Sequence, residues 1–137
     1  MSGDLTIARL DGPEILFRHA ELADRDTREG RLAPGFARAL AELRMSFGRP
    51  MQVNSCCRTL RRNNLVGGHP RSLHIYDASP HGIAGTCAID IATPDIRYAL
   101  DLARLAIATG WSVGVNKRFL HLDRRADHGL PPGLFGY

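Results

Sequence analysis

His74, Asp90 and His121 are the residues of this chain best suited to hold a metal. They stand in the segments Ser72-Leu73-His74, Cys87-Ala88-Ile89-Asp90-Ile91 and Phe119-Leu120-His121-Leu122-Asp123. Two imidazoles and one carboxylate form a borderline donor set that suits Zn2+, and three protein ligands leave a fourth position open for water or substrate. If the three meet in space, the expected activity is metal-dependent hydrolysis.

Each residue also has a plainer reading. Asp90 lies between Ala88-Ile89 and Ile91-Ala92. A carboxylate buried there costs several kcal/mol without a partner, and a metal would supply one. The alternative is a strand-end Asp facing solvent. His121 and Asp123 are two apart on a predicted strand and share a face. Asp123 is therefore placed either to take a proton from a metal-bound water or to orient an imidazole. The plain alternative is the polar face of an edge strand. His74 follows Gly67-Gly68-His69-Pro70-Arg71, a shaped loop, where a lone histidine is ordinarily a surface residue. Arg58 ends the strand-like stretch Val53–Cys57. Its fork of donors suits a substrate carboxylate or a developing oxyanion.

The elements that must position these residues follow from apolar spacing. Ile15-Leu16-Phe17 suggests a short strand after the Gly12-Pro13 turn. Residues 33–47 predict a helix, with Pro34 in its first turn and Phe36, Leu40, Leu43 and Phe47 on one face. Gly48 and Pro50 end it. Residues 51–54 alternate like a strand, and 59–64 predict a short helix. Residues 75–86 read as a loop, and 86–92 as a buried strand around Asp90. A second helix opens at Pro94 and runs to about Thr109, with Tyr98, Leu102, Leu105 and Ile107 buried. Residues 111–115 and 118–123 predict two strands joined by a tight turn at Asn116-Lys117. The Gly- and Pro-rich tail from Ala126 predicts irregular structure. The sum is an α+β fold, helices packed on a small antiparallel sheet.

A chain of 137 residues supports one domain over residues 1–137, with its core at about 15–125. No apolar run approaches the roughly 20 residues that span a bilayer. Met1-Ser2-Gly3-Asp4-Leu5 carries no secretory signal pattern, so synthesis in the cytoplasm is expected. The net charge of +4 is nearly all arginine, since Lys117 is the sole lysine. It favours anionic partners such as a cell-wall polymer, or simply aids solubility. A nucleic-acid binder is disfavoured, because no helix carries clustered arginines with reader residues. Cys56, Cys57 and Cys87 are odd in number and form no Cys-x-x-Cys pair, so buried free thiols are expected.

Taken in order, the motifs resemble the M15 family of peptidases, which includes the zinc D-Ala-D-Ala carboxypeptidases and phage endolysin peptidases. The family pattern of Ser-Gly-Tyr-Arg, Asn, Gly-Gly and Ser-x-His is matched at Ser55, Arg58, Asn63, Gly67, Gly68, Ser72 and His74 without a gap. Ala88 and Asp90 match part of its Gly-x-Ala-x-Asp, and Phe119–Asp123 matches its closing apolar-apolar-His-x-Asp strand. Phe17 to Ala23, with Glu21-Leu22, is similar to its opening. The chain departs in three places. Cys56-Cys57 replaces Gly-Tyr, which removes a pocket tyrosine. Residues 75–85 look inserted between His74 and Asp90 and bring in His81 as a rival ligand. Asn116, Lys117 and Arg118 occupy the places where the family carries its general base.

The resemblance implies a Hedgehog/DD-peptidase-like fold and a zinc peptidase acting on peptidoglycan stem peptides or cross-links. Zn2+ would be held by His74, Asp90 and His121. Asp123 becomes the base by elimination and by its shared face with His121, Arg58 binds substrate or the oxyanion, and Ser72 hydrogen-bonds near the metal loop. The expected protein is a monomeric phage-type endolysin, cytoplasmic when made and acting on the periplasmic wall after release. The alternatives are a wall-remodelling D-Ala-D-Ala carboxypeptidase, or a catalytically inactive zinc-binding wall-binding module on the same fold.

Overall fold

Period-two alternation splits the segment Ala88–Ala92 into Ile89 and Ile91 on one face and Asp90 on the other. The computed structural model describes residues 3–136 and builds the domain around this split. In chain order the strands and helices are β1 (Ile7–Ala8), β2 (Ile15–Phe17), α1 (His19–Leu22), α2 (Phe36–Phe47), β3 (Val53–Ser55), α3 (Leu60–Leu65), β4 (Ala88–Ala92), α4 (Ile96–Ala108), β5 (Ser112–Val115), β6 (Phe119–Asp123) and β7 (Leu134–Gly136). A 3-10 turn, Arg125–His128, lies between β6 and β7. β1 and β2 form a separate antiparallel pair.

The main sheet has the order β3-β4-β6-β5-β7. Its first four strands are antiparallel, and β7 joins the edge parallel to β5. The result is an α+β domain with helices packed on a mainly antiparallel sheet. Ile89 and Ile91 of β4, Val113 of β5 and Leu120 and Leu122 of β6 form the fully buried side. α4 packs against β5 and β6, and α2 against α4. Leu40, Leu43 and Phe36 of α2 and Tyr98, Leu102 and Ala106 of α4 complete this core. Each buried Leu or Ile contributes about 1.5–3 kcal/mol.

Three expectations need correction. Helix α2 begins at Phe36, so Pro34 stands ahead of its first turn. Ile107 is 50% exposed. At 100° per residue it lies about 140° around the helix from Leu102, off the buried stripe. The tail is not irregular throughout, because residues 134–136 return to pair with β5. Its Gly and Pro content is compatible with an edge strand, which needs ladder bonds on one side only.

The loop before α3 is tied down by Asp24, a buried carboxylate. One oxygen accepts the N–H of Thr59, the N-cap of α3, at 3.0 Å. The other accepts the N–H of Asp26 and of Thr27 and the Thr27 hydroxyl. Burial pushes the Asp24 carboxyl up, but the N–H donors of Thr27, Thr59 and Asp26 outweigh it and hold the group below the ordinary carboxylate range. A folded-state value below the unfolded one stabilises the fold above about pH 4, and the contribution disappears as pH falls through the folded value. Asp24→Asn turns an amide NH2 towards N–H donors and should cost about 1–3 kcal/mol at pH 7. Denaturant midpoints should show the gap to wild type narrowing below about pH 4. A gap that stays the same size in acid would mean that the carboxylate charge contributes nothing.

Candidate metal centre

The polar side of the sheet carries the site. Asp90 of β4 pairs in register with His121 of β6, so the carboxylate and the imidazole rise side by side from one face. His74 arrives from a loop that is stitched to the end of β3. The Arg58 N–H donates to the His74 carbonyl and the Tyr76 N–H to the Arg58 carbonyl, both at 3.0 Å. The Cys87 N–H reaches the Leu73 carbonyl, and the Thr86 hydroxyl reaches that of His74. Ser72 Oγ accepts the His74 N–H at 3.2 Å. These bonds carry His74 into the interior, where it is 3% exposed. The ligand atoms of His74, Asp90 and His121 lie within 4.8 Å of one another, and all three residues are buried.

The hydrogen bonds behind the two imidazoles determine which nitrogens face inward. His74 Nδ1 lies 2.7 Å from the Cys56 carbonyl. A carbonyl only accepts, so Nδ1 carries a proton and Nε2 faces Asp90 Oδ1, 3.2 Å away. His121 Nε2 donates to Asp123 Oδ2 at 2.8 Å, and its Nδ1 faces the same Asp90 oxygen at 3.0 Å. Two inward imidazole nitrogens thus face one carboxylate oxygen. Such an arrangement requires a cation between them, either protons or a metal. Inward nitrogens fixed by outer hydrogen bonds are the usual setting of a metal-ligating histidine. The donor set therefore fits a divalent ion.

Electrostatics agree with this geometry. Burial pushes the Asp90 carboxyl up, but the facing imidazoles of His74 and His121 outweigh it and hold it well below the ordinary range. Burial lowers His121, and its bonds to Asp123 and Asp90 overcome that and raise it. Burial also pushes Asp123 up, while His121 and Arg125 draw it down to about 2. The three cysteines are free and buried. Burial, with Asp123 nearby, pushes the Cys87 thiol up to about 12, so it remains a protonated thiol at neutral pH.

Asp123 is packed against His121 and is not among the described residues that line the cleft. It is 0% exposed and sits behind His121, on the ring edge opposite Asp90. Its Oδ2 takes the His121 Nε2–H and the Arg125 Nη2–H, and its Oδ1 takes the Arg125 N–H and Nε–H. Sharing a strand face with His121 brought it close to the imidazole, and the same closeness committed its oxygens. His81, the rival ligand, stands outside the group and is turned towards Arg71.

The three residues form part of the wall of a cleft of about 770 Å³. Arg58 lines it, and its guanidinium is braced by Ser55 Oγ at 2.8 Å and Asn63 Oδ1 at 2.9 Å. Asn63 in turn donates to the His69 carbonyl. A Cβ at Gly68 would overlap Asn63 and crowd Arg58, so the second glycine of the pair is needed for close approach. The motif residues from Ser55 to His74 thus form one connected structure around Arg58.

Two lining residues were absent from the sequence expectations. Arg125 holds Asp123, and Phe135 of β7 lies over His121 with ring centroids 5.7 Å apart. Gly114 of β5 makes room for Phe135, since a Cβ there would overlap its ring. Arg125, two residues after Asp123, carried a faint charge-pair signal, whereas Phe135 carried none.

The chain matches the family described as Peptidase M15 over residues 14–123. No curated protein matches it, and no solved structure does.

Proposed function

The chain belongs to the M15 peptidase family, and from that premise we propose that it is a zinc peptidase cutting an amide bond in peptidoglycan stem peptides or cross-links. The observation that carries the reading is the buried His74–Asp90–His121 group in the wall of an open cleft. His74 Nε2, Asp90 Oδ1 and His121 Nδ1 would hold the ion. Bound there, Zn2+ would polarise the scissile carbonyl and make its water acidic near neutral pH.

The chain's own groups supply position and charge. Asp123 and the Cys56 carbonyl keep the two imidazoles aimed inward. Arg58, held by Ser55 and Asn63, offers donors to a substrate oxygen whose charge grows during hydrolysis. Ser72 holds the His74 backbone. Val66, Phe119 and Phe135 give the cleft apolar walls for the peptide. The net positive charge suits an anionic murein sacculus. An endolysin role is the biological setting we infer, with the protein made in the cytoplasm and acting on the wall after release. Among the described residues, no helix is long and apolar enough to cross a membrane.

One observation favours a second reading, a zinc-dependent wall-binding module without turnover. Among the described residues lining the cleft, Asp90 is the sole carboxylate, and it belongs to the ligand group. Incubation with Gram-negative sacculi, with and without a chelator, separates the two. The peptidase should release muropeptides only when metal is present, and their masses name the bond. Zinc-dependent binding to sacculi with no released fragments would replace the peptidase reading with the module.

A further inference from the structure

Resting on the wall-peptide reading, we propose that Arg71, held by His81 of the 75–85 loop, selects substrates by a carboxylate close to the scissile bond. Among the described residues, three guanidinium groups line the cleft, Arg58, Arg71 and Arg125, against the single carboxylate of Asp90. A divalent ion at the metal group would neutralise that carboxylate and leave the cleft cationic. Arg58 is engaged by Ser55 and Asn63, and Arg125 by Asp123. Arg71 has no carboxylate partner among the described residues. Its Nη2 meets His81 Nδ1 at 3.1 Å, and no hydrogen bond to a described residue occupies its Nε or Nη1.

The contact with His81 is reciprocal. His81 Nε2 lies 3.0 Å from the Arg71 carbonyl, which only accepts, so Nε2 carries the proton. His81 Nδ1 is then an acceptor and takes the Arg71 Nη2–H. The Arg71 N–H donates to His69 Nδ1 at 3.0 Å. Arg71 is thus held through its N–H, its carbonyl and its guanidinium. His81 is tethered in turn, because its own N–H and that of Ile83 both reach Ser79 Oγ. A guanidinium ordered in advance loses less freedom when it binds. Its flat fork of remaining donors matches a planar carboxylate.

Distance along the chain limits where that carboxylate sits. Arg71 is three residues before His74, so their Cα atoms are at most about 11 Å apart. Both residues also line the same cleft, so a carboxylate held by Arg71 sits in the groove that holds the metal group. The inserted loop thereby becomes a specificity element, with His81 as the positioning residue and Arg71 as the contact.

The test uses zinc-loaded wild type, Arg71→Ala, His81→Ala and the double variant. Short wall-type peptides are offered in matched pairs, with the C-terminal carboxylate free or amidated and with an acidic side chain free or amidated. Calorimetry reads binding, and KM and kcat are measured separately. Wild type should prefer one free carboxylate by about tenfold in Kd and KM. Arg71→Ala should make that pair equal, and the pair affected tells a terminal from a side-chain carboxylate. His81→Ala should remove part of the preference and have no added effect on the Arg71→Ala background. A preference that survives Arg71→Ala overturns the inference, as does a wild type that binds both members of each pair equally. An equal His81→Ala loss with and without Arg71 overturns the positioning role. Preference in binding without cleavage would leave Arg71 standing and defeat the peptidase reading, and cleavage without preference would do the reverse.

Discussion

Asp90→Ala is expected to lose zinc at the centre by a factor of about a hundred or more. Structural zinc sites bind with about 10–16 kcal/mol over four ligands, or roughly 3 kcal/mol per ligand. Asp90 is also the one residue that both inward nitrogens face, His74 Nε2 at 3.2 Å and His121 Nδ1 at 3.0 Å. Without it, two neutral imidazoles remain and nothing balances the ion's charge. Titration against a competing chelator reads the affinity directly. Thermal unfolding gives a second readout, because an ion that binds only the folded state raises stability by about 2.7 kcal/mol at a hundred times its Kd. Zinc should raise the Tm of wild type and leave that of Asp90→Ala unmoved. A variant that still takes up one zinc at wild-type affinity would place the metal elsewhere.

Asp123→Ala has the second largest expected effect, and its pattern separates two roles. A base is needed for turnover and leaves metal affinity alone. An orienting carboxylate acts on the metal through the imidazole, and its loss typically costs about 10–100-fold in affinity. The latter is the expected result. Asp123 is fully buried, takes the His121 Nε2–H at 2.8 Å, and is held at about 2 by His121 and Arg125 against the upward push of burial. A buried carboxylate whose two oxygens are both committed to donors is poorly placed to take a proton from a water in the cleft. Its removal also strands the His121 N–H and part of the Arg125 guanidinium, a loss of about 1–3 kcal/mol in fold stability. Asp123→Asn keeps an acceptor for His121 and should recover part of the zinc affinity. Full zinc affinity with abolished turnover in Asp123→Ala would return the residue to the role of base.

Local pattern determined much of this protein. Spacing of three and four places the apolar faces of α2 and α4, and period two sends Asp90, His121 and Asp123 to the side of the sheet opposite Ile89, Ile91, Leu120 and Leu122. The ordered residues from Ser55 to His74, with Asp90 and His121, were enough to suggest the metal group and the family. These features depend on near neighbours in the chain, and a sequence displays near neighbours directly. Tertiary structure alone decided the remainder. The Cys56 carbonyl, 18 residues away in the chain, selects which nitrogen of His74 faces inward. Strand β7 pairs with β5 across the Gly- and Pro-rich tail and lays Phe135 over His121. Arg71 meets His81 only because the 75–85 loop folds back. A hydrogen bond has direction as well as partners. Periodicity tells which face a side chain occupies, but which atom of that side chain points at which neighbour is set when distant segments pack together.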